Sequence, residues 1–362
     1  MASATTTPTE SNPGRLLLVS VPRTASNLLV KVLNIQQQPN VASNDKGGYF
    51  FHSAFMVATR DALFQKPIDQ WTDAQKAEIR DAYQQCLDQL EETSAQARRD
   101  NKMMFTKEHG FWLVNPATMY TPPTGSESPV SVKADEALVK FFRLRLPDTV
   151  GPTATFSGKN HTMFSDEYLR SWRLTFIIRH PALAWPSLYR AMLKIVKLGV
   201  GVLADDDGLK GVSAANMTLV WTRQLFDWCL EQHAAGLAQP PLIIDAYDVI
   251  HNPAAVLRFC EAVGLDKSVV QFEWGGENAP KALDGWKNGD IPVDLQVAQI
   301  MLSTLETSKG VLKDKTPAKV DIKAEAVKWR EEFGDDAAAD IEKAVWDAMP
   351  DYEYLWERRV QP

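Results

Sequence analysis

The chain has 362 residues, of which 45% are hydrophobic and 23% charged, and its formal net charge is -7 with a pI near 5.5. These fractions are typical of an ordinary soluble protein with a sizeable core, and they exclude a predominantly disordered chain. The acidic balance argues against a nucleic-acid partner, so any phosphate site has to be built locally.

Three cysteines, Cys86, Cys229 and Cys260, lie far apart in segments with helical patterns and lack the spacing of a metal site or a disulfide framework. We expect buried thiols in a reducing compartment. No stretch approaches the roughly 20 apolar residues that cross a bilayer, and the start of the chain lacks a basic run followed by an apolar one. The expectation is a cytoplasmic protein with no membrane partner, a disordered tail over residues 1–14 and a single domain over residues 15–362.

The first strong element is the apolar run 15–21, which is short enough for a buried strand and precedes a helical pattern over 26–35. Residues 72–99 have the polar, helix-favouring pattern of a long amphipathic helix. A second short strand is predicted over 103–106. Strand, turn and helix in this order form the frame in which phosphate-binding loops occur.

Pro, Thr, Ser and Gly punctuate residues 116–158, so we expect a lid-like insertion over about 115–160. The run 174–178 predicts a central buried strand and 241–246 another, while 213–232 and 253–263 predict helices. Alternating strands and helices indicate an α/β fold with a three-layer parallel sheet, whose ligands lie beyond the carboxyl ends of the strands.

The turn after the first strand is a candidate anion site because small and hydroxyl residues stand there between a strand end and a helix start. Its residues are Arg23, Thr24, Ala25, Ser26 and Asn27. The spacing and the lysine of a Walker A loop are missing, which argues against a nucleotide triphosphatase or a small-molecule kinase. The alternative is an ordinary helix cap by Ser26 or Thr24.

A second candidate phosphate contact follows the strand 174–178, where Arg179 precedes His180 and Pro181, and Ser187 stands eight residues beyond the arginine. An arginine at a strand end and a serine two turns into the next helix can converge on one phosphate. The alternative is a surface arginine that pairs with a carboxylate.

These segments together resemble the P-loop sulfotransferase family, with the eight-residue interval as the strongest point of likeness. Two further segments fit: 243–248, where Tyr247 stands beside an acid, and 285–288, which contains Lys287. The resemblance implies a P-loop-type topology, with 3'-phosphoadenosine-5'-phosphosulfate (PAPS) as sulfuryl donor and no metal. It also implies that the loop 23–27 binds the 5'-phosphosulfate, Arg179 and Ser187 the 3'-phosphate, Tyr247 the adenine, and the segment with Lys287 covers the nucleotide.

The sequence departs from the family at Ala25, Arg23 and Leu28, where a loop glycine, a lysine and an aromatic residue are usual. Only Lys281 lies near the position of the family's Arg-Lys-Gly run. These departures leave an alternative open, namely a sulfotransferase-fold protein with altered chemistry or lost donor binding. A noncatalytic binding module is a weaker possibility.

A sulfuryl transferase needs positioned cations and a base for the acceptor proton, and histidine suits that task near neutrality. His109, with Lys107 two residues earlier, looks like the family's Lys-x-His motif and is the preferred base, with Lys107 and Arg23 as the stabilising cations. His161 follows Lys159 at the same spacing and remains the second candidate. The other four histidines are expected to be structural or surface residues.

Aromatic residues near the predicted mouth favour an aromatic or polycyclic small-molecule acceptor. The candidates are Tyr49, Phe51, Phe111 and Trp112, for which plain core packing is the alternative. The expected assembly is a monomer or a homodimer.

Overall fold

A computed structural model describes residues 14–60, 63, 66–119, 134–197, 209, 213, 215–275, 293–314 and 316–361. Its five described strands are β1 (Arg15–Ser20), β2 (Val41–Ala42), β3 (Met103–His109), β4 (Arg173–Ile178) and β5 (Leu242–Asp245). They form one sheet in the order β2-β3-β1-β4-β5, and every neighbouring pair is parallel. The predicted parallel α/β fold is confirmed.

Helices cover both faces of this sheet. The described helices are α1 (Ser26–Val32), α2 (His52–Arg60), α3 (Asp73–Arg99), α4 (Pro116–Met119), α5 (Glu136–Phe141), α6 (Asp166–Arg170), α7 (Pro181–Lys197), α8 (Val220–Ala234), α9 (Ala246–His251), α10 (Pro253–Ala262), α11 (Val293–Thr307), α12 (Ile322–Phe333) and α13 (Asp335–Glu357). This is the three-layer arrangement that the alternating pattern predicts.

The core divides into two clusters because side chains alternate along a strand. On β1, Leu17 and Val19 pack into a large cluster with residues of α3, α7, α8 and α13. Leu16 and Leu18 point the other way, into a smaller cluster with residues of α1, α9 and α10. A strand buried on both faces needs an uninterrupted apolar run, which is the pattern that residues 15–21 show.

Two predicted boundaries are wrong in ways that matter for the site. The strand predicted to end at Thr106 continues to His109, because the ladder with β1 continues through Lys107 and Glu108 to the pair Ser20 and His109. The helix predicted over 213–232 is interrupted: Ser213 and residues 215–216 are helical, residues 217–219 are not, and α8 begins at Val220. The helix predicted over 72–99 is confirmed as α3, which Thr72 and Gln75 start with a reciprocal capping box.

The three cysteines are buried free thiols on α3, α8 and α10, as predicted. Among the described helices, none combines the length and apolar character that a membrane span requires. Of the expected lid, residues 120–133 lie outside the described part of the chain, and its role as a lid stays a prediction.

The parallel strands bring chemically distinct segments to one edge of the sheet. Ser20 pairs with His109 at the ends of β1 and β3, and Ile178 pairs with Asp245 at the ends of β4 and β5. The carboxyl ends of the four longer strands therefore share one edge, where α/β sheets place their ligands.

Candidate active site

The loop between β1 and α1 has a backbone that non-glycine residues rarely adopt. Arg23 and Ala25 both lie in the left-handed region, with φ of 67° and 64°. Thr24, between them, turns inward, and its hydroxyl donates to the Val21 carbonyl at 2.7 Å. Backbone of this type can direct successive N–H groups into one concavity and so bind an anion, and such strain clusters at functional sites.

An ordinary side-chain cap does not explain this loop. The residue at the N-cap position of α1 is Ala25, and no side chain caps the helix. The hydroxyl of Thr24 is used within the turn. The alternative of a cap by Ser26 or Thr24 therefore does not describe the loop.

Two arginines and a serine meet beside the loop, and we call Arg23, Arg179 and Ser187 the arginine cluster. The Nε of Arg23 donates to Ser187 Oγ at 3.0 Å, and Arg179 donates to the Arg23 carbonyl at 3.1 Å. Burial and the nearby charge of Arg23 lower the pKa of Arg179 to about 10. Both guanidinium groups remain protonated at neutral pH, so this region carries fixed positive charge.

Arg179 also contacts the segment around Thr316, and this segment in turn contacts α9. Arg179 donates to Thr316 Oγ1 at 3.2 Å, and His251 Nε2 lies 2.8 Å from the Thr316 carbonyl. The ring of Tyr247 stacks on His251 with centroids 4.4 Å apart. Tyr247 and His251 thus present an aromatic surface next to the arginine cluster.

His109, the last residue of β3, lies between β1 and the loop that carries Tyr49. Its Nδ1 is 2.9 Å from Ser20 Oγ, and its Nε2 is 3.3 Å from the Tyr49 hydroxyl. Burial, then the charges of Lys107 and His52, hold the pKa of His109 well below its usual range. The imidazole is therefore neutral at neutral pH, and one ring nitrogen keeps a lone pair.

Lys107 shares the face of β3 with His109 because side chains two residues apart on a strand point the same way. Its ammonium donates to Asn27 Oδ1 at the start of α1 and lies 4.2 Å from the centre of the Tyr49 ring. Burial lowers the pKa of Lys107 to about 7, although the neighbouring Glu108 raises it. A lysine in this condition gains or loses its charge near neutrality.

Glu108 points to the opposite face and fastens the segment that carries Tyr49. Its Oε1 accepts from the backbone N–H groups of Phe50 and Phe51, at 2.6 and 3.3 Å. The Gly48 carbonyl accepts from the Lys107 N–H at 3.0 Å. Gly48 has φ of 94°, and a Cβ there would lie 3.1 Å from the Lys107 nitrogen, so the close approach requires glycine.

Three of the four aromatic residues predicted for the acceptor contact His109. The centroid distances from its ring are 5.2 Å to Tyr49, 5.9 Å to Phe111 and 4.5 Å to Trp112. Phe51 instead packs into the core against Tyr83 and Phe164, at 6.1 and 5.6 Å.

His161, the second candidate base, lies in a different setting. The described residues 134–160 before it contain no strand, and its ring is 6.4 Å from Trp221 on α8. The cation at the matching spacing, Lys159, is an exposed residue that pairs with Glu231 at 2.7 Å. The Lys-x-His sequence is the same as at His109, but Lys159 forms an ion pair with a surface residue of α8.

Two curated relatives are similar to the chain over nearly its whole length. Both are named "Sulfotransferase ppzF": one from Metarhizium rileyi is 31% identical and one from Metarhizium majus 32%, each alignment covering 96% of this chain and 97% of the relative. The chain belongs to the sulfotransferase family. A sulfotransferase domain from the Synechococcus PCC 7002 olefin synthase covers 90% of this chain and 96% of its own at 13% identity, but a TM-score of 0.35 adds nothing to the assignment. No family model matches the chain.

Within this sulfotransferase, the structure brings together most residues that the sequence singled out. Arg23, Arg179 and Ser187 meet on one side of the loop, and Lys107 and His109 on the other. Lys287 and Lys281, with the covering segment around them, lie outside the described residues.

Sequence reasoning missed several residues of this sulfotransferase site. Ser20 could have been found, because it is a hydroxyl at the end of an otherwise apolar strand. His251 stands four residues after Tyr247, a spacing that brings side chains together on a helix. Thr316 carries no comparable signal, since only tertiary packing brings it to Arg179.

Proposed function

We propose that this sulfotransferase transfers a sulfuryl group from PAPS to the hydroxyl of a small aromatic or polycyclic acceptor. The observation that carries the proposal is the arrangement of charged residues at one edge of the sheet. Two halves of this edge, which differ in the kind of charge they hold, lie on either side of the loop with left-handed backbone. One half holds the fixed charges of Arg23 and Arg179, and the other holds the Lys107 and His109 pair.

The donor carries two phosphate groups and a sulfuryl group bound as a mixed anhydride, and the arginine cluster fits such an anion. After burial, the nearby charge of Arg23 lowers the pKa of Arg179, and a bound anion would relieve this repulsion. The Asp245 carboxyl raises the pKa of Arg179, and it accepts from the Tyr247 N–H at 2.7 Å and from the Tyr352 hydroxyl at 3.2 Å. Because the cluster holds two guanidinium groups against this one carboxyl, the net charge here is positive.

His109 is the base of the proposal. Because its imidazole is neutral and Nε2 already faces a hydroxyl, that of Tyr49, its lone pair can take the proton of an acceptor hydroxyl as that oxygen bonds to sulfur. Lys107 and Arg23 oppose the negative charge that develops on the bridging oxygen when its bond to sulfur breaks. The proton ends on His109, and the charge ends on the departing phosphate.

The aromatic rings around His109 support an aromatic acceptor. Tyr49, Phe111 and Trp112 surround the imidazole, and Phe55 packs against Phe111 and Trp112 at 5.6 and 5.2 Å. Flat aromatic surfaces favour ligands of the same kind through offset and edge-to-face contacts.

The experiment is a transfer assay with sulfur-labelled PAPS and a panel of phenols, polycyclic alcohols, aliphatic alcohols and amines. We expect labelled product with at least one phenol or polycyclic alcohol and none with amines alone. Transfer only to aliphatic alcohols or amines would overturn the acceptor class.

A companion measurement tests donor binding separately. Millimolar adenosine 3',5'-bisphosphate should raise the melting temperature, because a ligand that binds only the folded state stabilises it. No transfer together with no stabilisation would favour a sulfotransferase-fold protein that has lost donor binding.

A further inference from the structure

We infer that Ser20 is a positioning residue that fixes His109 in the tautomer with hydrogen on Nδ1, so that Nε2 is the nitrogen available to take a proton. The inference deepens the proposed function and rests on it for its catalytic meaning. Its structural content, which nitrogen carries the hydrogen, can be measured without any turnover.

The Ser20 hydroxyl has one hydrogen, and the groups close to it include the Glu108 carbonyl and the His109 ring. Its Oγ lies 3.2 Å from the Glu108 carbonyl oxygen and 2.9 Å from His109 Nδ1. A carbonyl only accepts, so the serine must donate to Glu108. The hydroxyl then has only its lone pairs left for His109, and Nδ1 must be the donor.

The alternative assignment gives up one of the two Ser20 hydrogen bonds. If the hydroxyl donated to Nδ1, its contact with the Glu108 carbonyl would contain no hydrogen. Ser20 is fully buried at 0% exposure, so no solvent is at hand to replace that bond. The arrangement with hydrogen on Nδ1 satisfies both contacts.

The other ring nitrogen faces a hydroxyl that can donate to it. The Tyr49 hydroxyl lies 3.3 Å from Nε2, and burial raises the pKa of this phenol, so it keeps its proton throughout the neutral range. A hydroxyl thus already stands where the base would meet an acceptor O–H group. Displacement of Tyr49 by an acceptor hydroxyl would leave Nε2 in place, because Ser20 holds the opposite side of the ring.

The position of Ser20 in the fold explains why it can do this. It is the last residue of β1 and pairs with His109 in the ladder, and the donor loop begins immediately after it. The chain therefore passes beside His109 at Ser20 and then continues into the loop that carries Arg23. A change at Ser20 acts on His109 without removing a cation of the site.

Histidine labelled with 15N gives the direct test, by NMR of the full-length protein with His109 assigned through its absence in His109→Gln. We expect His109 to show a protonated Nδ1 and a bare Nε2. Ser20→Thr keeps the hydroxyl and should keep this spectrum, whereas Ser20→Ala should shift the tautomer toward Nε2–H. Tyr49→Phe removes the hydroxyl that faces Nε2, and His109 should keep its hydrogen on Nδ1 there as well.

Activity supplies the second readout. Ser20→Ala should lower kcat about 3- to 10-fold with the donor KM unchanged, as expected for the loss of one neutral hydrogen bond, and Ser20→Thr should restore it. A wild-type His109 with hydrogen on Nε2, or a Ser20→Ala spectrum identical to wild type, would overturn the inference. If Ser20→Ala fails to fold, the wild-type and Ser20→Thr spectra still decide. If transfer fails in the wild type while the spectrum is as expected, the proposed function falls and the role of Ser20 in the tautomer stands.

Discussion

Burial lowers the pKa of cationic groups in both halves of the sheet edge, but the consequence for their charge at neutral pH differs. Burial lowers the proton affinity of Arg179 and of Lys107 alike, but it brings the pKa of Arg179 only to about 10 and that of Lys107 to about 7. The arginine cluster therefore stays charged, whereas Lys107 can gain or lose its proton near neutrality and His109 beside it is neutral. Permanent charge suits binding, and adjustable charge suits proton transfer and charge stabilisation.

This difference in charge predicts that substitutions in the two halves will have different effects. A change at His109 should reduce turnover and leave donor binding intact, whereas a change at Arg179 should mainly weaken donor binding. The predictions that follow test this division, from the largest expected effect to the smallest.

The largest effect is expected at His109. His109→Gln should lower kcat by about 10²- to 10⁴-fold, the usual contribution of a general base, measured by labelled transfer. His161→Gln is the matched control and should retain nearly full activity, since Lys159 beside it is committed to Glu231. Loss of activity in the control alone would transfer the role of base to His161.

In the arginine cluster, Arg179→Met should raise the donor KM about 10- to 100-fold with a smaller change in kcat, because hydrogen bonds to charged groups contribute about 1.5–3 kcal/mol. Arg173→Met is the matched control, since Arg173 opens the same strand β4 at its opposite end and is also partly buried. A change in kcat with the donor KM unchanged would break the division between the two halves.

The segment that carries Tyr49 offers a test of packing. Gly48→Ala should destabilise the protein by more than the roughly 1–3 kcal/mol of backbone strain alone, because its Cβ would lie 3.1 Å from the Lys107 nitrogen. Gly151 has nearly the same φ, 93° against 94°, and nothing lies within 4 Å of the Cβ that Gly151→Ala would add. Urea unfolding should show the larger loss in Gly48→Ala, and only that variant should lose activity. Equal losses in both would mean that the contact with β3 is unimportant.

The smallest effect concerns the pH dependence of stability at Glu108. Burial raises the pKa of this carboxyl to about 8, so the folded state holds a proton that the unfolded chain releases above its ordinary value of 4.5. Stability from Glu108 is present at low pH and is lost as pH rises toward 8. Between pH 5 and 7, the wild type should lose stability relative to Glu108→Gln, measured by urea unfolding. A difference that stays constant over this interval would contradict the raised pKa.

Local patterns in the sequence predicted much of this site. The apolar run of β1, the loop after it and the interval from Arg179 to Ser187 are short-range features. In the structure the run forms a strand, and both Arg179 and Ser187 contact Arg23 of the loop. The predicted strand stops before Lys107, Glu108 and His109 because these residues are polar. The ladder with β1 keeps them in β3, so tertiary pairing overrides local preference.

The remaining features depend on contacts between distant segments. Tyr49 and Phe51 belong to one aromatic run, yet Tyr49 contacts His109 and Phe51 enters the core. Thr316 reaches Arg179 from 137 positions away. No spacing in the sequence encodes such contacts, which arise when the helices pack on the sheet.

The division between binding and transfer is tested most directly by calorimetric titration of adenosine 3',5'-bisphosphate into the wild type, His109→Gln and Arg179→Met. We predict saturable binding of equal affinity in the first two proteins and much weaker binding in the third. Absence of binding by the wild type, or equal binding by all three, would contradict the account.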